Sequence, residues 1–253
     1  MKSVRARTPF QGVLQIVQFN GRSYVAAILG VCAAGVASLL LLNPARFVVI
    51  ACTFPPLFWL GSSLLVSHYV YDRSQLYELK WIDEILPVVP RSLINIHSGF
   101  DETSELLAEK FPDAVSAAVN IYDPEVMTEP SIRIARRLKP SPIPATVARY
   151  DALPFASGSI DAAFVIFSAH ELRRHNQRVT FLREISRVLT PDGKIILVEH
   201  TRDLWNLLAF GPGAFHFFSD QTWRRAAFDG ALFVPTQCSI TPFVHIYTLR
   251  RAE

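Results

Sequence analysis

Acidic residues are absent from the first 71 positions of this 253-residue chain, which hold five basic ones, Lys2, Arg5, Arg7, Arg22 and Arg46. The remainder carries 20 basic residues against 22 acidic, so the formal net charge of +3 is the sum of two unlike parts. No Lys/Arg-rich stripe follows. A phosphate-tracking surface is therefore excluded, and no nucleic-acid partner is expected. Cysteine is scarce: Cys32, Cys52 and Cys238 show neither metal-ligand spacing nor a disulfide framework, and are read as reduced, structural residues. The seven histidines give no metal-ligand pattern, and no metal is expected. Charge of either sign makes up only 19% of the chain against 50% apolar residues, which excludes disorder.

The grease is concentrated at the front. Tyr24 to Leu42 and Phe47 to Tyr71 carry no charge, and each is long enough to span a bilayer, which takes roughly 20 residues. Only Asn43, Pro44, Ala45 and Arg46 separate them, so residues 1–71 read as a transmembrane helical hairpin. A cleaved signal peptide has a shorter apolar core and no second run behind it. The remaining alternative is a buried helix pair inside a soluble fold. Pro55 and Pro56 predict a kink in the second helix. The basic residues before the first span, with Arg73 and Lys80 after the second, place both termini and the large domain in the cytoplasm. Residues 72–91 form the connector, with a helix expected from Asp72 to about Leu86.

From residue 92 to 253, short apolar runs alternate with helical patterns, the sequence form of a mostly parallel sheet wrapped by helices. Strands are expected at Leu93–Ile96, Ala117–Tyr122, Thr146–Tyr150, Ile160–Phe167 and Lys194–His200. Helices are expected at Glu102–Phe111, Thr128–Leu138, Gln177–Leu189 and Asp220–Phe228. The last two runs, Leu232–Ile240 and Phe243–Leu249, are joined by two residues, which forces an antiparallel pair. The fold class is thus α/β and Rossmann-like, with a carboxyl-terminal antiparallel strand pair and a two-helix transmembrane hairpin in front.

In open α/β sheets ligands sit at the carboxyl ends of the strands, so chemistry belongs in the turns that follow them. The first turn, Asn95-Ile96-His97-Ser98-Gly99-Phe100-Asp101-Glu102, has one glycine where a dinucleotide fingerprint has three. The acidic start of its helix repels a pyrophosphate and suits a cationic ligand. Asp123 lies 24 residues beyond Gly99, near the offset of a ribose-binding acid, although taken alone a solvated turn before Pro124 explains it better. The third turn reads Tyr150-Asp151-Ala152-Leu153-Pro154-Phe155, a polar turn, then Ile160-Asp161 into a buried run. Phe181 to Val188, Leu189-Thr190-Pro191-Asp192-Gly193 and Lys194 to Leu197 follow.

These motifs resemble the class I S-adenosylmethionine-dependent methyltransferases of the type 11 kind, over about residues 92 to 251. The run from Ile94 to Asp101 also resembles a membrane-attached branch of such sequences. The resemblance implies S-adenosyl-L-methionine as cofactor. Asn95, His97, Gly99 and Asp101 would form the methionine-side loop, with Asp101 replacing a charge lost from the family's Asp-x-Gly-x-Gly-x-Gly pattern. Asp123 would hold the ribose hydroxyls, Asp151 and Ala152 would meet the adenine, and Ser168 would lie beside the cofactor.

Methyl transfer from a sulfonium chiefly requires positioning, with a base only where the acceptor loses a proton. His170 with Glu171, and His200 after Glu199, are the candidate catalytic groups, each weighed against a plain strand-end role. Trp205, Phe210, Phe215, His216 and Phe217 belong to an uncharged aromatic stretch, Leu204 to Phe218, broken by Gly211-Pro212-Gly213. They are expected to line an acceptor channel beneath a hinged segment, with a buried helix as the alternative. The function expected is membrane-anchored methyl transfer to a lipophilic small molecule. A catalytically silent scaffold of the same fold is the other reading.

Overall fold

The structure, a computed structural model, describes residues 7–252; Lys2 and Arg5 of the basic cluster and Glu253 lie outside them. Two long helices, α1 (Gln11–Leu39) and α2 (Ala45–His68), form the expected hairpin. Both are long and apolar enough to cross a membrane. Most of their large apolar side chains between Val25 and Leu57 are exposed, unlike those of a helix pair buried within a core. Arg46 closes the hairpin by donating to the Ser38 and Leu39 carbonyls at the end of α1 (2.9 and 3.1 Å), where a cation meets the negative end of the helix dipole. The break in helical backbone falls at Asn20 in α1, whereas α2 runs on through Pro55 and Pro56. All three cysteines are free and exposed, not buried structural residues.

The α1 helix starts well before the apolar run, and its first turns belong to the domain. They have no side-chain cap of their own. Asp72, from the far end of the hairpin, supplies one: its carboxylate accepts from the Gly12 and Val13 N–H groups (2.5 and 3.1 Å) and from His68 Nδ1 (3.0 Å).

The connector is not the single helix expected from Asp72 to Leu86. A π turn (Tyr69–Arg73), a 3-10 turn (Leu76–Glu78) and α3 (Trp81–Ile85) replace it, with Leu79 at φ 54° between them. Leu76, Leu79, Ile82 and Leu86 are still buried, because a spacing of three or four residues serves either kind of turn. The reversal at Leu79 brings the Trp81 indole N–H onto the Leu76 carbonyl (3.0 Å).

Seven strands make one sheet in the order β3-β2-β1-β4-β5-β7-β6. They are β1 (Ser92–His97), β2 (Val115–Asn120), β3 (Thr146–Val147), β4 (Ile160–Ile166), β5 (Leu189–His200), β6 (Leu232–Thr241) and β7 (Val244–Arg251). The first five are parallel, and β7 runs antiparallel to both β5 and β6. The switch point lies between β1 and β4. The crossover helices are α4 (Ser104–Lys110), α5 (Pro130–Leu138) and α6 (His175–Val188), with α7 (Leu204–Phe210) and α8 (Asp220–Asp229) before the final pair. Alternate β1 residues point to opposite cores: Ile94 and Ile96 meet the layer of α6 and α8, and Leu93 meets Leu107 and the connector. The connector therefore forms one wall of the core. β5 begins earlier than Lys194 and bulges at the Pro191-Asp192-Gly193 turn, where the pairing jumps from Ile160–Leu189 to Ala162–Lys194. A Cβ on Gly193 would lie 3.0 Å from the Ile160 carbonyl oxygen, so a side chain there would crowd the bulge.

Candidate active site

The expected cofactor residues gather along the carboxyl edge of the sheet. Asn95 and His97 end β1, Asp123 follows β2, Asp151 and Ala152 follow β3, and Ser168 follows β4. The loop after β1 is held by polar side chains in place of glycines. Asn95 Nδ2 lies within hydrogen-bonding distance of Ser104 Oγ, Thr103 Oγ1 and Asp101 Oδ1 (2.7, 2.9 and 3.3 Å). His97 Nδ1 accepts the Gly99 N–H (3.1 Å), which assigns the ring proton to Nε2. That Nε2 and the Asn95 Oδ1 are buried without partners. Burial lowers the His97 pKa, opposed by Asp101, so the ring is a neutral donor.

Asp101 does not stand free to meet an ammonium group. Its Oδ1 accepts the Thr103 and Ser104 N–H groups at the start of α4 (3.1 and 3.0 Å), and its Oδ2 accepts the Ser141 hydroxyl (3.1 Å). Ser168 is likewise committed, donating to the Ile96 carbonyl and tying the ends of β4 and β1 together (2.8 Å). Gly99 has φ 90°, and a Cβ there would collide with the Arg136 side chain. The Arg136 guanidinium lies over the Tyr122 ring at 3.5 Å, and its Nε is buried without a partner. Asp123 uses Oδ1 to accept the Glu125 N–H (2.9 Å). Asp151 is held on both oxygens by Arg149 (2.8 and 2.7 Å), which also keeps its pKa low.

A second group of side chains surrounds the ends of β4 and β5. His170 Nδ1 faces Glu199 Oε2 at 2.7 Å, its backbone N–H donates to Glu199 Oε1 at 3.2 Å, and its Nε2 lies 3.5 Å from Glu171 Oε1. Burial alone would strip the proton from His170, but Glu199 and Glu171 outweigh it and raise its pKa to about 10. His216 stands edge to face with His170 at 5.1 Å, and its pKa is pushed down to about 3 by burial, His170 and Arg173. Arg173 Nη1 donates to the carbonyls of both His170 and His216 (3.1 and 2.7 Å), fastening the 3-10 turns Ala169–Glu171 and Gly211–His216 to one another.

His200 is not placed to act as a base. Its Nδ1–H donates to the Phe243 carbonyl and its Nε2 accepts the Tyr71 hydroxyl, both at 2.8 Å. Phe167 and Phe217 stack on its two faces at 5.0 and 4.8 Å. Burial lowers its pKa to about 4 and holds the ring neutral. The aromatic stretch divides: Phe210 and Phe217 pack onto His200, whereas Trp205 and Phe215 are 59% and 63% exposed. Its centre is not a loose hinge, because Trp59 of α2 packs on Gly211 and Ser62 donates to the Ala209 carbonyl (2.7 Å).

Tyr71, Arg173 and Arg136 were not singled out from the sequence. Tyr71 hid at the end of an apolar run, and the two arginines act through carbonyls and a ring that only the fold brings near.

Residues 98–197 match the methyltransferase domain family. Across the described α/β region, the chain superposes on a SAM-dependent methyltransferase from Aquifex aeolicus at 15% identity and a TM-score of 0.50, covering 71% of this chain and 94% of that one. Residues 98–197 thus carry a methyltransferase domain. The pyocyanin biosynthetic protein PhzM aligns with 98% of the chain and 74% of its own at 14% identity and a TM-score of 0.57, a likeness of fold. In sequence, the methyltransferase domain is similar to a ubiquinone/menaquinone biosynthesis C-methyltransferase of Citrifermentans bemidjiense. The two are 28% identical over 107 residues, 42% of this chain and 44% of that protein. A Geobacter sp. (strain M21) protein with the same description is 27% identical over the same share. The chain thus spans less than half the length of the curated relatives it matches.

The residues present fit S-adenosylmethionine in part by direct observation. At this edge Asp123 presents a carboxylate after β2, and the buried Asn95 Oδ1 and His97 Nε2–H present an unpartnered acceptor and donor in the loop after β1.

Proposed function

We propose that the chain is a membrane-anchored S-adenosylmethionine-dependent methyltransferase whose acceptor is a lipophilic, quinone-like small molecule. One observation carries the reading: the inner ends of both hairpin helices pack on the edge of the sheet that bears the candidate site. From α1, Gln11 and Gln15 donate to Glu102 in the loop after β1 (3.3 and 3.0 Å), and Phe19 meets Phe100 edge to face at 5.2 Å. From the α2 side, Tyr71 donates to His200, and Ser62 and Trp59 seat α7 and the turn after it. A site built against membrane helices serves acceptors that partition into the bilayer. The exposed Leu204, Trp205, Leu208 and Phe215 beside it form an apolar patch suited to the membrane interface.

In this reading the donor supplies the methyl group as a sulfonium, and Asp123 holds its ribose. Phe210 and Phe217 flank the acceptor's approach, and the buried cluster at His170 receives its polar head. Both termini are cytoplasmic. In a variant whose native cysteines are replaced by serine, an impermeant thiol reagent is expected to label a cysteine introduced at Asn43 but not one at Arg73; labelling at Arg73 reverses the topology.

Arg136 against Gly99 and Arg149 on Asp151 favour a second reading, a silent domain serving as a membrane-bound scaffold. Calorimetry on the full chain in lipid nanodiscs separates the two. Micromolar binding of S-adenosylmethionine and its demethylated product, weakened in Asp123→Ala by loss of a charged acceptor, supports the enzyme. Absence of binding by folded protein selects the scaffold.

A further inference from the structure

We propose that His170, Glu171 and His216 form a binding site for a divalent transition-metal ion of the zinc class, whose open position takes an oxygen of the acceptor. The role assigned to the ion rests on the methyltransferase reading above; the site itself rests on geometry. Two imidazoles and one carboxylate offer donor atoms that all lie within 4.8 Å of one another. This is the ligand set of open zinc sites, in which three protein donors leave one position for water or substrate. Metal–donor distances of about 2.0–2.2 Å set tetrahedral ligand separations near ~3.4 Å. The pair His170 Nε2 and Glu171 Oε1 already stands at 3.5 Å. His216 closes the set by a shift of about 1 Å, on the order of an ordinary side-chain adjustment at a binding site.

Three features point to a ligand rather than to a self-contained polar cluster. Glu171 is 3% exposed, yet its Oε2 has no hydrogen-bond partner, an acceptor buried without compensation. His170 presents Nδ1 to the buried Glu199, the carboxylate–histidine arrangement that fixes a metal-binding imidazole and leaves Nε2, facing Glu171, to exchange its proton for a metal ion. Arg173 clamps the carbonyls of His170 and His216, holding the two ligand-bearing turns at a fixed separation without contributing a donor itself. The turn that carries His170 and Glu171 leaves the carboxyl end of β4, next to β1 at the switch point. His216 precedes Phe217, whose ring lies on His200. Phe217 also stands edge to face with His216 at 6.1 Å, so a ring hydroxyl or carbonyl of a lipophilic acceptor that met the ion would have an aromatic neighbour.

The test uses the full chain in nanodiscs, stripped with chelator and titrated with Zn2+ by calorimetry. A Co2+-loaded sample reports coordination by its visible spectrum. One equivalent of Zn2+ should bind below about 1 µM, with a tetrahedral Co2+ spectrum that changes when a hydroxylated aromatic is added. His216→Ala and Glu171→Gln should each weaken Zn2+ on the order of 100-fold. Glu199→Gln should weaken it by about 10- to 100-fold through His170. Thermal unfolding followed by circular dichroism reports whether each variant is folded, and S-adenosylmethionine affinity is measured on the same samples. Failure of the wild type to bind Zn2+ tighter than about 100 µM, far weaker than built zinc sites, overturns the proposal. So does an unchanged affinity in both His216→Ala and Glu171→Gln. Tight, variant-sensitive Zn2+ binding without S-adenosylmethionine binding keeps the site and removes the methyltransferase reading instead.

Discussion

Replacing Glu102 by alanine should release the base of α1 from the domain. The carboxylate is only 13% exposed and accepts from Arg7 Nη1, Gln15 and Gln11 on one oxygen (2.8, 3.0 and 3.3 Å) and from the Tyr77 hydroxyl on the other (2.7 Å). Arg7 already has buried Nε and Nη2 atoms without partners, and its guanidinium lies 3.6 Å over the Tyr77 ring. Truncation therefore strands a largely buried cation, and breaking such a pair costs about 3–5 kcal/mol. At 1.4 kcal/mol per tenfold, the lower figure corresponds to about 100-fold faster amide exchange where exchange proceeds through local opening. The measurement is hydrogen–deuterium exchange of the nanodisc-held chain, followed over Gln11–Phe19. Glu102→Gln keeps an acceptor for the neutral donors and should cost roughly half as much, since bonds to a charged group contribute about 1.5–3 kcal/mol against about 1 for neutral ones. A double-mutant cycle with Arg7→Ala should show coupling above about 1 kcal/mol. Exchange within threefold of wild type in Glu102→Ala, with no Arg7 coupling, would refute the idea that this carboxylate fastens the hairpin to the loop.

Three further outcomes are expected. Gly99→Ala should destabilise the domain by about 1–3 kcal/mol, from the φ of 90° and the displaced Arg136 side chain, and chemical denaturation giving less than about 0.5 kcal/mol would remove that account. His200, held neutral with a pKa of about 4, takes up its proton more readily when unfolded. The unfolded state thus binds more protons between about pH 6.5 and pH 4, and stability falls as pH falls through that window by on the order of 3 kcal/mol. His200→Asn should flatten this segment of the stability–pH curve, and an unaltered slope contradicts the assignment. Phe217→Ser should cost about 2–4 kcal/mol for a ring packed on His200 and Phe210, whereas exposed Phe215→Ser should stay within about 0.5 kcal/mol by chemical denaturation. Equal effects of the two would mean that the stretch is not divided as described.

Much of the architecture was legible because it is written in local periodicity. The β-rich runs at Ile94 and Phe164 fell within a residue of their strands, the run at Ile196 marked the carboxyl half of a strand that begins five residues earlier, and the two-residue link at Pro242 forced the antiparallel pair. The hairpin was legible from its missing charges, but the docking of Gln11 to Phe19 was not, because those residues read as an ordinary polar lead-in and their partner Glu102 lies some 90 positions away. The connector defeated periodicity for a different reason: Leu76, Leu79, Ile82 and Leu86 satisfy a helix, a 3-10 turn and a reversal at Leu79 alike. At the site, His170 and Glu171 stood out as adjacent titratable residues, and His216 was placed among the acceptor-lining residues. Their union with one another depends on Arg173 and on the sheet order, neither of which sequence spacing encodes. Asp101 and Ser168 carried the right residue types in the right turns, yet their hydrogen bonds go to the backbone and to Ser141 and so hold the loop itself.

The Asp72 cap on α1 and the Tyr71 bond to His200 also govern the order in which the chain can fold. Synthesis delivers the hairpin first, but the cap on its opening turns waits for Asp72, and the Glu102 clasp waits for the loop after β1. The Tyr71 contact comes last, across 129 positions, once β5 is in place. With the membrane placement proposed above, helix insertion precedes completion of the sheet, and the domain's final layer closes on helices already in the bilayer. Contacts of such sequence separation form slowly. Until they close, the connector's Leu76, Leu79 and Trp81 remain uncovered beside the membrane surface, where the exposure that endangers a nascent domain in solution is shielded by lipid.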